Sequence, residues 1–386
     1  MSNKPLHITI VGGGPVGLFL GIALSKLNIE CTVVEKRSTP VQDSRSLGIH
    51  PISLELFSEF DLDEKFLKEG IQIKKGIAHN GLKKLGEINF EELDEPYNFI
   101  LACPQFTTEQ ILTQKFLDLN PHGLITEAEV KAIHQNKDNV VCWHKKDSQE
   151  HAITSDFLIG CDGKNSFVRE SIGIRYDGKK YPDTYIMGDF KDITELGEEA
   201  VVFLPKSGMI ESFPLPKGMR RWVVRTESYI PEPSQKMLTA LINARIGYDL
   251  SRAKCSMLST FGVQHFMAEE FYNNRIVLAG DAAHVVSPIG GQGMNLGWIG
   301  AWTLARSLAD IQNNPSKKEQ ILSKYNSEQR RIVNKAARRA ELNMFLGREQ
   351  KIPWIKSSLV FLLLNTPLRK IAAQLFAMKN LYKVRT

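Results

Sequence analysis

The chain has 386 residues, 42% of them apolar and 24% charged, which fits a globular protein long enough for two cores. The formal net charge of +6 does not point to nucleic acid, because the basic residues are dispersed and aromatics do not alternate with them. The local clusters Arg330-Arg331 and Arg338-Arg339 fall in a mixed-charge helical segment and read as a solvated face, or as a mild attraction for an anionic small molecule. Five cysteines with no CxxC pair argue against metal and dithiol chemistry and for a reducing compartment. The first apolar stretch reads as a strand rather than a signal peptide, so the expected location is the cytoplasm. No feature of the sequence fixes an oligomeric state.

In chain order, the apolar run His7–Val11 meets Gly12-Gly-Gly14-Pro15-Val16-Gly17 and then a periodic segment from Leu18 to Leu27. This is strand, GxGxxG turn and helix, an arrangement in which the glycines allow a tight turn, a close pyrophosphate and close helix packing. A second strand, Cys31–Glu35, ends in a carboxylate eighteen residues after Gly17, where an adenosine ribose needs an acceptor, and Lys36 follows it. An acid at that place repels a 2′-phosphate, so the site suits FAD or NAD rather than NADP.

Residues 76–101 and 179–269 lack glycine motifs and alternate as antiparallel strands do, for example over Thr184–Phe190, Ala200–Leu204 and Arg221–Arg225. Between them, Phe157-Leu-Ile-Gly160-Cys-Asp162-Gly163 places an apolar strand before an Asp-Gly turn, a common αL reversal when taken alone. The stretch Arg275-Ile-Val-Leu-Ala-Gly280-Asp281 is a buried strand on a Gly-Asp turn. It runs through Pro288, Gly291, Gly293, Met294 and Asn295 into a helix. Such a junction lets backbone approach a flat ring, gives polyol hydroxyls an acceptor in Asp281, and presents unpaired N–H groups at a helix N-terminus.

Together these three segments resemble the single-component FAD-dependent aromatic hydroxylases typified by para-hydroxybenzoate hydroxylase. The likeness lies in Gly12, Gly14, Gly17 and Glu35, in Asp162-Gly163, and in Gly280-Asp281 with Pro288. It implies an α/β fold: a Rossmann-like FAD-binding domain (1–75, 102–178, 270–345) interleaved with a β-sheet-rich substrate domain (76–101, 179–269), then a C-terminal helical segment (346–386). It also implies that the first motif, with Pro15, Val16 and Lys36, holds the ADP half of FAD and the Gly-Asp motif its ribityl chain and ring. Arg45 and Gln105 resemble family residues that touch FAD. The implied reaction is hydroxylation of a phenolic or polycyclic aromatic substrate by O₂ through a flavin C4a-hydroperoxide. NADPH or NADH is a transient co-substrate, since no second dinucleotide fingerprint is present.

The substrate is expected beneath the antiparallel sheet, with Phe203, Met209, Phe213 and Trp222 as candidate lining residues. No catalytic residue is assigned; His50, His79, His265 and His284 each read more readily as structural, and no metal site is expected. One departure from the family is Gly297-Trp298-Ile-Gly300-Ala301, where relatives commonly carry Gly-x-x-Asp-Ala, which draws attention to the packing of that helix. Trp298 and Trp302 there read as core. A flavin halogenase, an isoprenoid reductase and a non-catalytic flavin-bound sensor are alternative readings, the first weakened by the absence of Trp-x-Trp-x-x-Ile-Pro.

Near the C-terminus the apolar run Leu359–Leu364 is too short to span a bilayer, which takes about 20 residues. Thr366 and Pro367 then open a helix with Leu368, Ile371, Ala372, Leu375 and Phe376 on one face. Docking on the protein's own core is the favoured reading. Weak peripheral contact with a membrane, from its inner side, through Arg369 and Lys370 is the other.

Overall fold

The computed structural model describes residues 5–39, 46–348 and 353–379. Its first layer is a six-stranded sheet with His7–Val11 near the centre, flanked by Glu30–Val34 on one side and by Phe157–Gly160, then Ile276–Leu278, on the other. These four strands are parallel and nearly wholly apolar, as strands covered on both faces must be. Their register pairs Val11 with both Val34 and Gly160, and Gly160 with Leu278. The pairing continues past the strands through Gly12 N–H to Val34, Cys161 N–H to Val11 and Ala279 N–H to Gly160. All three glycine-bearing turns therefore open from one edge of one sheet, the edge at which such folds bind ligands.

Close packing fixes those turns against each other. The helix Pro15–Lys26 leaves the first turn so tightly that a Cβ on Gly17 would lie 1.9 Å from the Gly12 carbonyl oxygen. Gly280 adopts a left-handed φ of +59°, and a Cβ there or on Gly297 would press on Val16, at 3.2 and 2.5 Å respectively. Trp298, fully buried, donates its indole N–H to the Pro15 carbonyl at 3.0 Å. The long helix Gln292–Asn313 is thus clamped to the first turn. Gly300 lets Gln329 of the next helix, Lys318–Gly347, approach to 3.3 Å from where a Cβ would stand. Trp302 packs edge-on against Phe60, so both tryptophans belong to the core.

The second layer is an eight-stranded, mostly antiparallel sheet built chiefly from Tyr176–Lys191, Ala200–Phe203, Ile210–Leu215, Met219–Thr226 and Cys255–Ala268, with Lys75–His79 and Lys84–Asn89 at one edge. Its period-two alternation sends Ile186, Phe203, Ile210, Trp222 and Val224 to one face, against Leu238 and Ile242 of the helix Gln235–Ile246. The opposite face carries Met187, Val202, Met209, Glu211, Phe213 and Val223.

The C-terminal helices Pro353–Leu364 and Leu368–Phe376 close the space beneath that edge. Val360, Leu364, Ala372, Ala373 and Ala377 dock on Leu85, Ile88, Phe90 and Ala200. The second helix docks by its alanines and Phe376. Leu368 and Ile371 point outward with Leu359, Phe361 and Leu362, and Leu375 is partly exposed. Among the described residues no single helix is long and apolar enough to cross a membrane, and this pair passes only as two pieces bent by 96°.

Gly17 and Gly14 should separate packing from ligand binding. Gly17→Ala is expected to cost about 3 kcal/mol or more in urea unfolding, since backbone cannot move away from backbone. A Cβ on Gly14 meets nothing within 4 Å. Gly14→Ala should therefore change stability by less than about 0.5 kcal/mol while weakening cofactor binding.

Candidate cofactor and substrate site

A single cavity of about 880 Å³ runs from the glycine turns to the underside of the second sheet. Its first end is formed by Gly12, Gly14, Pro15, Val16, Glu35 and Lys36, its middle by Gln105, Asp162, Gly163, Gly280 and Asp281, and its flat-walled section by Pro288, Gly291, Gly293 and Met294. Gly17 and Asn295 do not line it. Gly17 serves the helix contact described above. Asn295 is fully buried, accepting the His50 backbone N–H at 2.9 Å and donating to the Gly48 and Gly291 carbonyls at 2.9 and 2.8 Å. It shapes the loop from behind rather than touching what the cavity holds. Arg45 lies outside the described residues.

At the first end, Glu35 accepts the Gly13 N–H at 2.6 Å, and its other oxygen accepts the Arg37 backbone and Nε hydrogens at 2.9 and 2.8 Å. Burial pushes its carboxyl up, but the hydrogen bonds and charge of Arg37, with the Gly13 N–H, outweigh this and hold it below the usual range. Arg37 also reaches Glu109 at 3.5 Å, and Glu109 accepts from the Gln105 side chain at 2.8 Å. Gln105 is therefore both the first residue of the helix Gln105–Leu119 and part of a chain of polar groups leading to Glu35. Arg37 was not singled out from the sequence, where a basic residue two positions past a strand end has no distinguishing pattern.

In the middle, Asp162 accepts the Ser166 hydroxyl at 2.5 Å and the Val168 N–H at 3.1 Å, so its carboxylate caps the short helix Phe167–Ser171. Arg169 then donates to the carbonyls of Ala282 and Lys164 at 3.1 and 2.9 Å, with its guanidinium 3.8 Å from the Tyr176 ring centre. Tyr176 in turn donates to the Asp281 carbonyl at 2.8 Å. The Asp-Gly and Gly-Asp turns are thus joined by side chains that neither motif contains.

Asp281 behaves differently from the other acids here. Among the described residues its carboxylate has no hydrogen-bond or ion-pair partner, and it is exposed toward the cavity it lines. That space is walled by protein, so lost hydration pushes its carboxyl up to about 6 despite the pull of Lys164. His50 and His284 are likewise driven down to about 4 by burial, so both are neutral at pH 7. His50 packs beside Gly291, its Nε2 3.0 Å from the Gly290 carbonyl.

These features fit FAD. Open space at Gly14 next to the N-terminus of the Pro15–Lys26 helix suits a pyrophosphate. The unpartnered Asp281 suits ribityl hydroxyls, and the Pro288–Met294 loop at the N-terminus of the Gln292–Asn313 helix suits a flat ring bearing partial negative charge. Of the candidate substrate residues, Met209 and Phe213 line the far end of the cavity with Met187, Val202, Val223 and Phe261. Phe203 and Trp222 do not. The pleat turns both to the opposite face, where they stack on each other with ring centres 6.2 Å apart.

The fold and site together define a flavoprotein built on a dinucleotide-binding sheet. A family model described as "FAD binding domain" matches residues 6–340. A rifampicin monooxygenase of Streptomyces venezuelae is 29% identical over 340 residues, covering 84% of this chain and 68% of that protein. A 6-methylpretetramide 4-monooxygenase of Streptomyces rimosus is 29% identical over 329 residues, covering 83% and 58%. The crystal structure of a p-nitrophenol 4-monooxygenase from Pseudomonas putida superposes with a TM-score of 0.89 at 20% identity over 100% of both chains, a likeness of fold. The chain belongs to the FAD-dependent aromatic monooxygenases that resemble para-hydroxybenzoate hydroxylase.

Hydroxyl donors from a polyol favour the ionised form of Asp281, so FAD binding should release a proton there. FAD affinity is then expected to fall as pH drops through about 6, and this dependence should vanish in Asp281→Asn. Titration of apoprotein by flavin fluorescence measures both; affinity of the unsubstituted protein that stays flat across that range counts against the assignment.

Proposed function

We propose that this protein uses NADPH or NADH and O₂ to hydroxylate a phenolic or polycyclic aromatic substrate seated between the flavin loop and the second sheet. The observation that carries this reading is the continuity of the cavity: it passes from the cofactor cradle directly into an apolar chamber bounded by Met187, Val202, Met209, Phe213, Val223 and Phe261. In this reading residues 1–75, 102–178 and 270–345 form the cofactor-binding part, residues 76–101 and 179–269 roof the substrate, and the C-terminal helices supply the remaining wall. Val360, Leu363, Leu364 and Phe376 line the same cavity, which makes the chamber apolar on its outer side as well.

When bound, FAD would supply the redox chemistry, hydride acceptance and activation of O₂, that no side chain of the protein provides. The chain's own contribution is placement and electrostatics. The Pro288–Met294 loop and the positive end of the Gln292–Asn313 helix would hold the ring and would stabilise negative charge on it. The apolar residues of the sheet and the C-terminal helices would keep water from the ring and from the oxygen chemistry it would supply. The nicotinamide has no dedicated fold of its own and is expected to dock transiently near Asp162. A polycyclic substrate is favoured over a single ring because the chamber is walled by the inner face of the second sheet and by two helices, and because two relatives described above are named for rifampicin and 6-methylpretetramide. The cytoplasm is the proposed location.

Turnover under ¹⁸O₂ tests the reaction. One labelled atom is expected in the product and the other in water, with substrate accelerating flavin reduction. Unlabelled product, or no acceleration by any member of a phenol and polyketide panel, would remove the hydroxylase reading.

The outward residues Leu359, Phe361, Leu362, Leu368 and Ile371 support weak peripheral contact with a membrane surface as part of this proposal. The protein should co-sediment with phosphatidylglycerol vesicles, and Leu359→Glu with Leu362→Glu should abolish this; recovery of the unsubstituted protein wholly in the supernatant would exclude the contact.

A further inference from the structure

The chamber beneath the second sheet has an apolar face broken by Glu211 and, beside it, by Arg221, whose guanidinium is held by Asp189. Glu211 lies on the strand Ile210–Leu215, in register with Val202 on one neighbour and Val223 on the other, and Val223 is followed by Met187. Along its own strand it is flanked on the same face by Met209 and Phe213. Only 9% of the residue is accessible, and it lines the cavity. Among the described residues its carboxylate has no hydrogen-bond or ion-pair partner.

Three other acids in or beside this sheet are paired. Asp183 meets Arg225 and Arg348 at 3.4 and 2.6 Å, Asp189 meets Arg221 at 2.6 Å, and Asp192 meets Arg220 at 2.8 Å. A lone carboxylate in an apolar wall costs stability, and no contact within the fold returns it. Such a group is explained by a partner that arrives from the cavity.

We propose that Glu211 is the substrate-facing base of this chain, its carboxylate taking the proton of a phenolic hydroxyl on a polycyclic ring held beneath the sheet. The inference rests on the polycyclic reading of the chamber given above. In the step, the phenol O–H bond breaks and a bond from that hydrogen to a Glu211 carboxylate oxygen forms. The electron pair stays on the phenolate oxygen and enriches the ring carbons ortho and para to it, which are the ones that accept oxygen. Glu211 returns the proton to the product oxygen, so it is unchanged over a turnover.

Burial with no compensating donor pushes the Glu211 carboxyl up to about 7, which makes its ionised form a stronger proton acceptor than an exposed glutamate. The titratable groups around it are few. Tyr185, on the Tyr176–Lys191 strand, senses its charge, and the Asp189–Arg221 and Asp183–Arg225–Arg348 clusters lie on either side of its row. Across the cavity, Ile289, Val360, Leu363 and Leu364 carry no charge.

The test uses the FAD-loaded full chain with 2-hydroxyanthraquinone, whose absorbance moves to the red on ionisation, and its methyl ether, which has no proton to give. The unsubstituted protein is expected to bind the phenol about tenfold more tightly than the ether at about pH 8, with a visible phenolate band. Both the preference and the band should fade as pH falls below about 7. In Glu211→Gln both should be lost at every pH, while FAD content and affinity for the ether stay unchanged; Glu211→Asp, which keeps the charge, should restore part of the band. If the Gln variant keeps the preference and the band, the role of Glu211 is overturned and the chamber reading stands. If the unsubstituted protein binds neither compound, the polycyclic reading falls and this inference with it.

Discussion

Parallel, in-register pairing of His7–Val11 with Glu30–Val34 and Phe157–Gly160, and of the latter with Ile276–Leu278, is the constraint on which the site depends. A parallel ladder places strand ends side by side only if the register is right, and a slip of one residue would turn each apolar side chain to the other face. Burial on both faces and the short helix contacts at Val16 remove that freedom. Three parts of the chain, each more than a hundred residues from the next, therefore meet at one edge: the first brings Gly12 and Glu35, the second Asp162 and the third Asp281. Gly280 and Gly297 contribute by being small enough for Val16 to sit between the first motif and the last.

The second sheet solves a different problem. Its outer face is an ordinary core against the Gln235–Ile246 helix, and its inner face is the lid of a chamber. One strand serves both through alternate residues, so the volume of Trp222 stabilises the sheet while neighbouring Arg221 and Val223 face the cavity. Paired arginines and aspartates along its ends satisfy the charges that such a thin layer cannot hide. Among the described residues Glu211 is buried without such a partner, on the face that lines the chamber.

The C-terminal helices join these layers. Small inward residues, Ala372, Ala373 and Ala377, let the last helix lie close to the sheet edge, while Val360, Leu364 and Phe376 reach the cavity. A 3.6-residue pattern identified an apolar stripe through Leu368, Ile371, Ala372, Leu375 and Phe376, of which Ala372 and Phe376 pack inward while Leu368 and Ile371 face outward. Close approach of backbones favoured the side with the alanines, which left Leu368 and Ile371 outside.

The sequence by itself determined the cofactor half of this protein. Glycine spacing, the carboxylate ending Cys31–Glu35 and the Gly-Asp turn are local requirements of backbone geometry and charge, and local requirements are written in adjacent residues. Alternation likewise marked the strands of the second sheet. Tertiary structure alone decided which face of those strands met the cavity, because a period of two is the same for core and chamber; it sent Phe203 and Trp222 away and brought in Met187, Val223 and Glu211. It also turned Asn295 into a brace and drew Arg37 to Glu109 and Arg169 to Ala282 and Tyr176, contacts that join separate segments of the chain. Those pairings exist only once separate elements meet, and no spacing along the sequence records them.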